Sequence, residues 1–583
     1  MSRRNEGSRA QTPAVLLVIV IPELRPKPLQ ARLSAALLSP LRHMPDLFEA
    51  PFARVHARGQ TPTNRRRMLQ LAAAAAATVW LPRSAWCQPR FSSDPFTLGV
   101  ASGSPTHDSV VLWTRLAPES FFGADLTQDP ITVRWEMAHD EQFTRIVAHG
   151  QSVALAALAD SVHVEVGGLE PDRWYFYRFM AGEAQSAVGR TRTFPAPGAA
   201  ATLLRIAYAS CQRWEHGYFS AYRHMRAEDL DAVLFLGDYI YEYPGAKNAV
   251  RVPTGGWVYT LDDYRQRYAL YKLDADLQAM HATCPWLVTW DDHEVQNDYA
   301  GATQGDSGIP VADFAGRRAA AYQAFYEHMP LRASVLARAL AGLGSDAEMR
   351  IYSTVRFGTL ATFHLIDDRQ YRDPQVCTRG GKPGSSRVDP ATCAKWEDPG
   401  RTLLGAPQER WLDDAFAHAS KGWNVIGMQT LFGARDFKSG PGQSFWNDRW
   451  DGYPGARTRM IASIRRNALT NPIVLGGDVH QNWVGHVKAD YAVPASPAIG
   501  VEFCGTSISS QSENGGRIAD WLAKNPHFVF ADAEHHGYGV VEFTPKRLTT
   551  SLRAVSDVTR RETTIETLAQ FSVEAGRPTL ERA

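Results

Sequence analysis

Apolar and polar residues alternate along residues 92–197, and then the rhythm changes. Ser109-Val-Val-Leu-Trp113 is a short apolar run, while Ile131-Thr-Val-Arg-Trp135 and Val162-His-Val-Glu-Val166 alternate with the period of a half-buried strand. Leu169 to Arg178 reads as a turn feeding an aromatic strand. These segments predict an all-β sandwich over 92–197, closed by a Pro/Gly/Ala linker at 194–201. From Thr202 short apolar runs alternate with helical spacing. The runs are 203–209, 232–236, 360–366, 423–428 and 472–475; helical spacing covers 261–282 and 312–326, and Pro407 sits near the first turn of a helix over 407–418. Strands alternating with helices predict a layered βαβ domain over 202–545, and an α+β chain as a whole. Residues 546–583 are assigned as a C-terminal tail.

The N-terminus has a different character. Asn64-Arg-Arg-Arg-Met-Leu-Gln70 precedes a modest apolar stretch, Leu71 to Leu81, and then the small residues Ser84 and Ala85. That order predicts a signal peptide over 64–90, and the arginines ahead of Met68-Leu69-Gln70 resemble the twin-arginine export signal. The alternative is a basic linker before a short buried helix. Residues 1–63 form a Pro/Arg/Leu-rich extension without periodicity, and one expectation is that translation starts at Met44. No apolar run reaches the roughly 18 residues of a spanning helix. Export implies a periplasmic or secreted protein in a disulfide-permissive compartment, with the twin-arginine machinery as a partner. Cys377 and Cys393 bracket a Gly/Pro/Ser-rich loop, and a disulfide there would contribute about 3 kcal/mol in the chain-entropy model. Cys284 and Cys504 read as buried small hydrophobes. Charge excludes one class: 62 basic against 61 acidic residues give a net +1, with no basic stripe for a stable nucleic-acid complex.

Four segments share one format, an apolar strand followed by ligand-type side chains at its C-terminal end, where open α/β sheets bind ligands. The first is Ser210-Cys211-Gln212, where Cys211 is a nucleophile, a metal thiolate or a packed cysteine. The second is Gly237-Asp238-Tyr239-Ile240-Tyr241; Asp238 and Tyr241 can share a site, or Asp238 caps a helix and the tyrosines pack. The third, Asp291-Asp292-His293-Glu294 with Asn297 and Asp298, is too dense in charge for ordinary packing unless a metal offsets it, or else is a solvated loop. The fourth, Gly476-Gly477-Asp478-Val479-His480, can ligate one ion from a single loop. Together they predict a multinuclear metal site mixing thiolate, carboxylate, imidazole, amide and phenolate ligands. Phenolate or thiolate favours a ferric ion; carboxylate and amide oxygens favour calcium or magnesium.

The order Gly-Asp, Asp-His-Glu, Gly-Asp-x-His resembles the metallophosphoesterases. Ser-Cys-Gln, Tyr241 and Trp290-Asp-Asp-His-Glu294 narrow the resemblance to PhoD-type alkaline phosphatases. It runs from about Phe96 to Pro545 and includes Gly99-Val-Ala-Ser-Gly-Ser-Pro105, Leu365-Ile-Asp-Asp-Arg-Gln-Tyr-Arg372, Trp450-Asp-Gly-Tyr453 and Ser507-Ile-Ser-Ser510. The turn before the aromatic strand is similar to the corner of fibronectin type III- or Ig-like sandwiches, where a tyrosine bonds back to the turn. The resemblance implies a metallophosphoesterase-like layered domain behind such a sandwich. It also implies one Fe3+ with Ca2+ ions, or Mg2+ or another divalent ion in place of Ca2+. Cys211 and Tyr241 would ligate iron and Asp238 would bridge iron to calcium. Asn297, Asp478 and His480 would complete the shells, and Asp292 would ligate or orient a ligand. His293 would serve the leaving oxygen or the phosphate, or else hold Asp478. Arg369 would neutralise phosphate or pair with Asp367 or Asp368.

The activity so implied is metal-dependent hydrolysis of phosphoesters, with attack by a hydroxide or oxo group on the cluster. Two other readings are a phospholipase D-like diesterase, its cleft shaped by the inserts 245–261 and 301–309, and a non-catalytic binding protein with structural metals.

Overall fold

The computed structural model describes residues 90–117, 129–245, 248–336, 348–512 and 515–583. The predicted extension, the Met44 start and the signal peptide lie outside the described residues up to position 89. Among the described residues no helix is long and apolar enough to cross a membrane.

Two sheets face one another across a shared core. In a ten-stranded sheet Leu204–Ala209, Ala232–Phe235 and Trp286–Val288 run parallel at the centre. In a seven-stranded sheet Ala361–Leu365, Trp423–Gly427, Pro472–Gly476 and Ala498–Cys504 do the same. The period of two explains the layering. Leu204, Ile206 and Tyr208 point into the core between the sheets, with Val425, Ile473 and Val501 opposite. Ala207 and Ala209 point the other way, onto a core shared with residues of the helices Ala221–Met225, Leu261–Lys272, Ala275–His281 and Phe314–His328. Ile426 and Val474 likewise share a core with residues of Gly405–Ala417 and Pro454–Arg466 on the outer face of the second sheet. The helical stretch 261–282 is two helices. Thr260 and Asp263 form a capping box on the first, and Asp274 accepts from the backbone N–H of Asp276 and Leu277 to start the second.

Three features revise the expected domain plan. Residues 92–197 do form two layers over one core, with Val110, Leu112 and Val164 facing Val133, Tyr175 and Tyr177. One layer, however, is not separate. Val100–Gly103, Ser109–Arg115 and Ser161–Gly167 continue the ten-stranded sheet, through parallel pairing of Gly103 with Trp286. Only Ile131–Ala138, Ile146–Ala154, Trp174–Ala181 and two short strands form the sheet of their own. Second, residues 546–583 are no tail. Arg547–Val555, Ile565–Glu574 and Glu581–Arg582 extend the same large sheet beyond His536–Phe543, burying Leu548, Leu552, Phe571 and Val573. Third, the linker adds no gap: Phe194 lies in the core between the sheets, edge-on to Phe357.

Two smaller expectations hold. Tyr175 Oη accepts from the backbone N–H of Glu170 at 3.0 Å, tying the aromatic strand to its turn. Cys377 and Cys393 are joined in a disulfide, while Cys211, Cys284 and Cys504 are free and buried.

Candidate metal centre

Because the central strands of each sheet are parallel, their C-terminal ends lie together. Cys211 follows Leu204–Ala209, Asp238 follows Ala232–Phe235, and the 290–294 segment follows Trp286–Val288. Arg369 and Asp478 follow strands of the second sheet. The turns there are unusual. Cys211, Asp238, Asp298, Asp478 and His480 all have positive φ, between 55° and 66°. For residues with a Cβ this left-handed conformation costs of order 1–3 kcal/mol each and persists only where the surroundings impose it. Gly237, at φ 107°, lets the 290–291 backbone approach: a Cβ there would stand 2.5 Å from Asp291 Cβ.

The ligand-type atoms converge in three overlapping groups, each within 4.8 Å: Cys211, Asp238 and His480; Asp238, Asp292 and His293; Asp292, Asp298 and Asp448. In the first group Tyr241 Oη donates to Asp238 Oδ2 at 2.8 Å and meets His480 Nε2 at 3.2 Å. His480 Nδ1 donates to the carbonyl of Gln511 at 2.8 Å, which leaves Nε2 facing the group. Ser510 Oγ donates to Tyr241 Oη and contacts the Cys211 carbonyl, both at 2.8 Å. Asp238 Oδ1 is buried with no hydrogen-bond partner among the described residues. Burial, reinforced by Asp238, pushes the Cys211 thiol well above its ordinary value. Burial does the same to Asp238, with Asp292, Glu294 and Asp478 adding to it against the opposing charge of His293. Among the described residues no side-chain cation bonds the Cys211 thiol or the Tyr241 hydroxyl, although Arg267 donates to the Tyr241 backbone carbonyl; thiol, phenol, imidazole and an orphaned carboxylate oxygen suit a metal ion.

Elsewhere the expected residues take more specific partners. His293 Nδ1 bonds Glu242 Oε2 at 2.7 Å, and its ring lies 4.1 Å from that of Tyr241. Burial lowers the affinity of His293 for a proton, but Asp238, Glu242 and Asp292 outweigh it and raise its pKa to about 10. The rival pairing of His293 with Asp478 is not the one formed. Asp292 Oδ2 accepts from the Asp298 backbone N–H at 2.7 Å. The Asn297 amide donates to Asp306 Oδ1 at 3.2 Å, and its backbone N–H to Glu242 Oε1 at 2.8 Å.

Arg369 departs most from expectation. Its side chain is completely buried, so it does not stand open to a phosphate, and neither Asp367 nor Asp368 is its main partner. It bonds Asp291, Asp448 Oδ2 at 2.5 Å and Asp478 Oδ1 at 3.0 Å. Asp367 accepts only its backbone N–H, and Asp368 lies 3.6 Å from its Nε. Asp478 is further held by Arg449. Burial would raise Asp478 and Asp448, but the arginines outweigh burial and hold both below the usual carboxylate range.

Several contributors were not assigned from the sequence. Asp298 and Asp448 make the third group, although Asp298 was visible in the dense acidic segment. Glu294 ties two strand ends together, accepting backbone N–H from Asp238, Tyr239 and Asp291. Glu242 accepts from Ser307 Oγ, the Asn297 backbone and His293, which together outweigh its burial and bring its pKa down to about 2.

A thiol, a phenol, imidazoles and carboxylates gathered at the parallel strand ends of two facing sheets form a candidate metal centre. Comparison with known proteins makes this specific. Residues 206–552 match the PhoD-like phosphatase model, and 81–195 match the PhoD-like phosphatase N-terminal domain. The chain is 44% identical over 491 residues to alkaline phosphatase D of Bacillus subtilis (strain 168), covering 83% of this chain and 81% of that protein. A solved structure titled "Structure of PhoD" superposes with a TM-score of 0.79 at 42% identity, covering 85% of this chain and 93% of that one. The chain belongs to the PhoD-like phosphatase family and is a phosphoester hydrolase.

Proposed function

We propose that the three overlapping groups hold one Fe3+ and Ca2+ ions, and that the protein is an exported alkaline phosphatase or phosphodiesterase that releases phosphate from organic esters. The observation that carries the reading is the first group, in which Cys211, Tyr241, His480 and the orphaned Asp238 oxygen converge without an internal cation. Cys211, Tyr241 and His480 would hold the iron, Asp238 would bridge, and Asp292, Asn297 and Asp478 would serve calcium. When bound, the cations supply Lewis acidity that stabilises charge on the phosphoryl oxygens.

The chain's own residues have further tasks. Glu242 fixes the ring of His293 through Nδ1, so Nε2 is the atom that gives a proton to the leaving oxygen. Arg369 holds Asp291, Asp448 and Asp478 in register and does not touch substrate. Ser510 orients Tyr241. Export by the twin-arginine route, which carries folded protein, would allow the ions to be loaded first. The phospholipase D-like and binding-protein readings have no comparable support, since the family match is to a phosphatase.

The test uses protein exported from its own host. Release of p-nitrophenol from p-nitrophenyl phosphate at alkaline pH should be abolished by a calcium chelator. Elemental analysis should find iron, and Tyr241→Phe should lose a ligand-to-iron absorption band while keeping the fold. A colourless, chelator-insensitive enzyme would refute the metal assignment.

A further inference from the structure

Arginines around the centre differ in how far their charge is already spent. Arg369 is shared among Asp291, Asp448 and Asp478, Arg372 is paired with Asp448, and Arg449 with Asp478. Arg213 is less fully spent, its one carboxylate partner among the described residues being Glu215. It lies two residues beyond Cys211 on the same strand-end loop. Its backbone is pinned, the N–H donating to Ser510 Oγ at 3.1 Å and the carbonyl accepting from Ser509 Oγ at 2.8 Å. Its guanidinium lies 4.5 Å from the centre of the Tyr243 ring and 5.6 Å from that of Tyr241, whose hydroxyl bonds Asp238. The buried carboxylate of Glu215 forms an ion pair with it at 3.6 Å through Nε, leaving the far end of the guanidinium unpaired. Among the described residues no hydrogen bond engages the two terminal nitrogens. The side chain is 20% exposed.

A mostly buried guanidinium, backed by an aromatic wall and with no hydrogen bond on its two terminal nitrogens among the described residues, therefore stands beside the ligand cluster. Planar forks of this kind match the geometry of phosphate oxygens, and stacking on a ring limits the orientations lost on binding. We propose that Arg213 binds a non-esterified phosphoryl oxygen of the substrate and biases the site toward phosphomonoesters over diesters. The inference rests on the phosphoester-hydrolase reading of this same centre. A monoester at alkaline pH is a dianion with three non-esterified oxygens. A diester carries one charge, and an ester group replaces the third oxygen. An extra cation at the rim favours the first over the second.

The experiment compares the metal-loaded wild type with Arg213→Gln and Arg213→Lys. The readouts are kcat/KM on p-nitrophenyl phosphate and bis-p-nitrophenyl phosphate, inorganic phosphate affinity by calorimetry, and metal content. Arg213→Gln should lose roughly tenfold or more on the monoester, the size of one charge-assisted hydrogen bond, and less than about twofold on the diester. Phosphate affinity should fall by a factor similar to that on the monoester, with metal content unchanged. Arg213→Lys, which keeps the charge and loses the fork, should fall between. Equal losses on both esters, undiminished phosphate affinity, or loss of metal in Arg213→Gln would each overturn the proposal. A wild type inert on both esters would instead refute the parent reading of the site, and phosphate calorimetry would still decide whether Arg213 binds the anion.

Discussion

Asp238 and Asp448 are both buried carboxylates at the same centre, yet their surroundings treat them in opposite ways. Asp448 faces Arg369 and Arg372 and is held below the usual carboxylate range despite its burial. Asp238 faces a thiol, a phenol and other acids with His293 as the opposing charge, keeps one oxygen without a partner among the described residues, and is still pushed well above that range. One region neutralises itself; the other is complete only with a cation from outside. Buried acid count alone does not tell how a carboxylate is balanced; the arginines beside it do, and Asp478, bonded by Arg369 and Arg449, resembles Asp448 in this respect.

Four experiments would break or sharpen this contrast. The largest effect is expected for Asp238→Asn, which should cost roughly 10³-fold or more in kcat together with bound metal. In metal-stripped protein the same change should raise stability by about 1–3 kcal/mol by chemical denaturation, because it removes an uncompensated buried acid. Destabilisation by Asp238→Asn without metal would erase the contrast. Arg369→Ala should lower stability by about 3–5 kcal/mol whether or not metal is present, since it strands several buried carboxylates. A loss seen only with metal bound would move Arg369 into the first region. Ser510→Ala should weaken metal retention by about 10–100-fold in a chelator competition and leave metal-free stability nearly unchanged. Smallest in free energy, chelation of the wild type at modest metal excess should lower the melting temperature by an amount that grows with the metal concentration removed, as mass action requires.

The site was partly legible because its strand-end signals are local. Gly237-Asp238, Gly476-Gly477-Asp478-Val479-His480 and the acidic segment at 291–298 announce themselves by composition and position after apolar runs. Ser510 meets Tyr241 across 269 residues, and Asp448 meets Arg369 across 79, so nothing nearby in sequence marks either role. The same distinction governs the fold. Strand positions such as 109–115 follow from alternation, but alternation is silent about which sheet a strand joins. Thus 92–197 reads as a free-standing sandwich while three of its eight strands extend the large sheet. The C-terminal strands are another matter: Leu548, Thr550, Leu552 and Ala554 alternate with more exposed residues, a signal for a strand that the assignment of a tail passed over.

The strand Leu204–Ala209, which delivers Cys211, is flanked on one side by Ala232–Phe235 and on the other by His536–Phe543. Its second neighbour is therefore made long after it, once the strands of the second sheet have all been synthesised. Pairing across that separation makes assembly a late, slow event of high contact order. A nascent chain stalled before residue 536 already contains Cys211, Asp238, Tyr241 and His480 but lacks the strand that seats the first of them. Residues 536–543 must be synthesised before the thiol has its native neighbours on both sides, so closure of the first ligand group waits for a strand far removed from it in sequence.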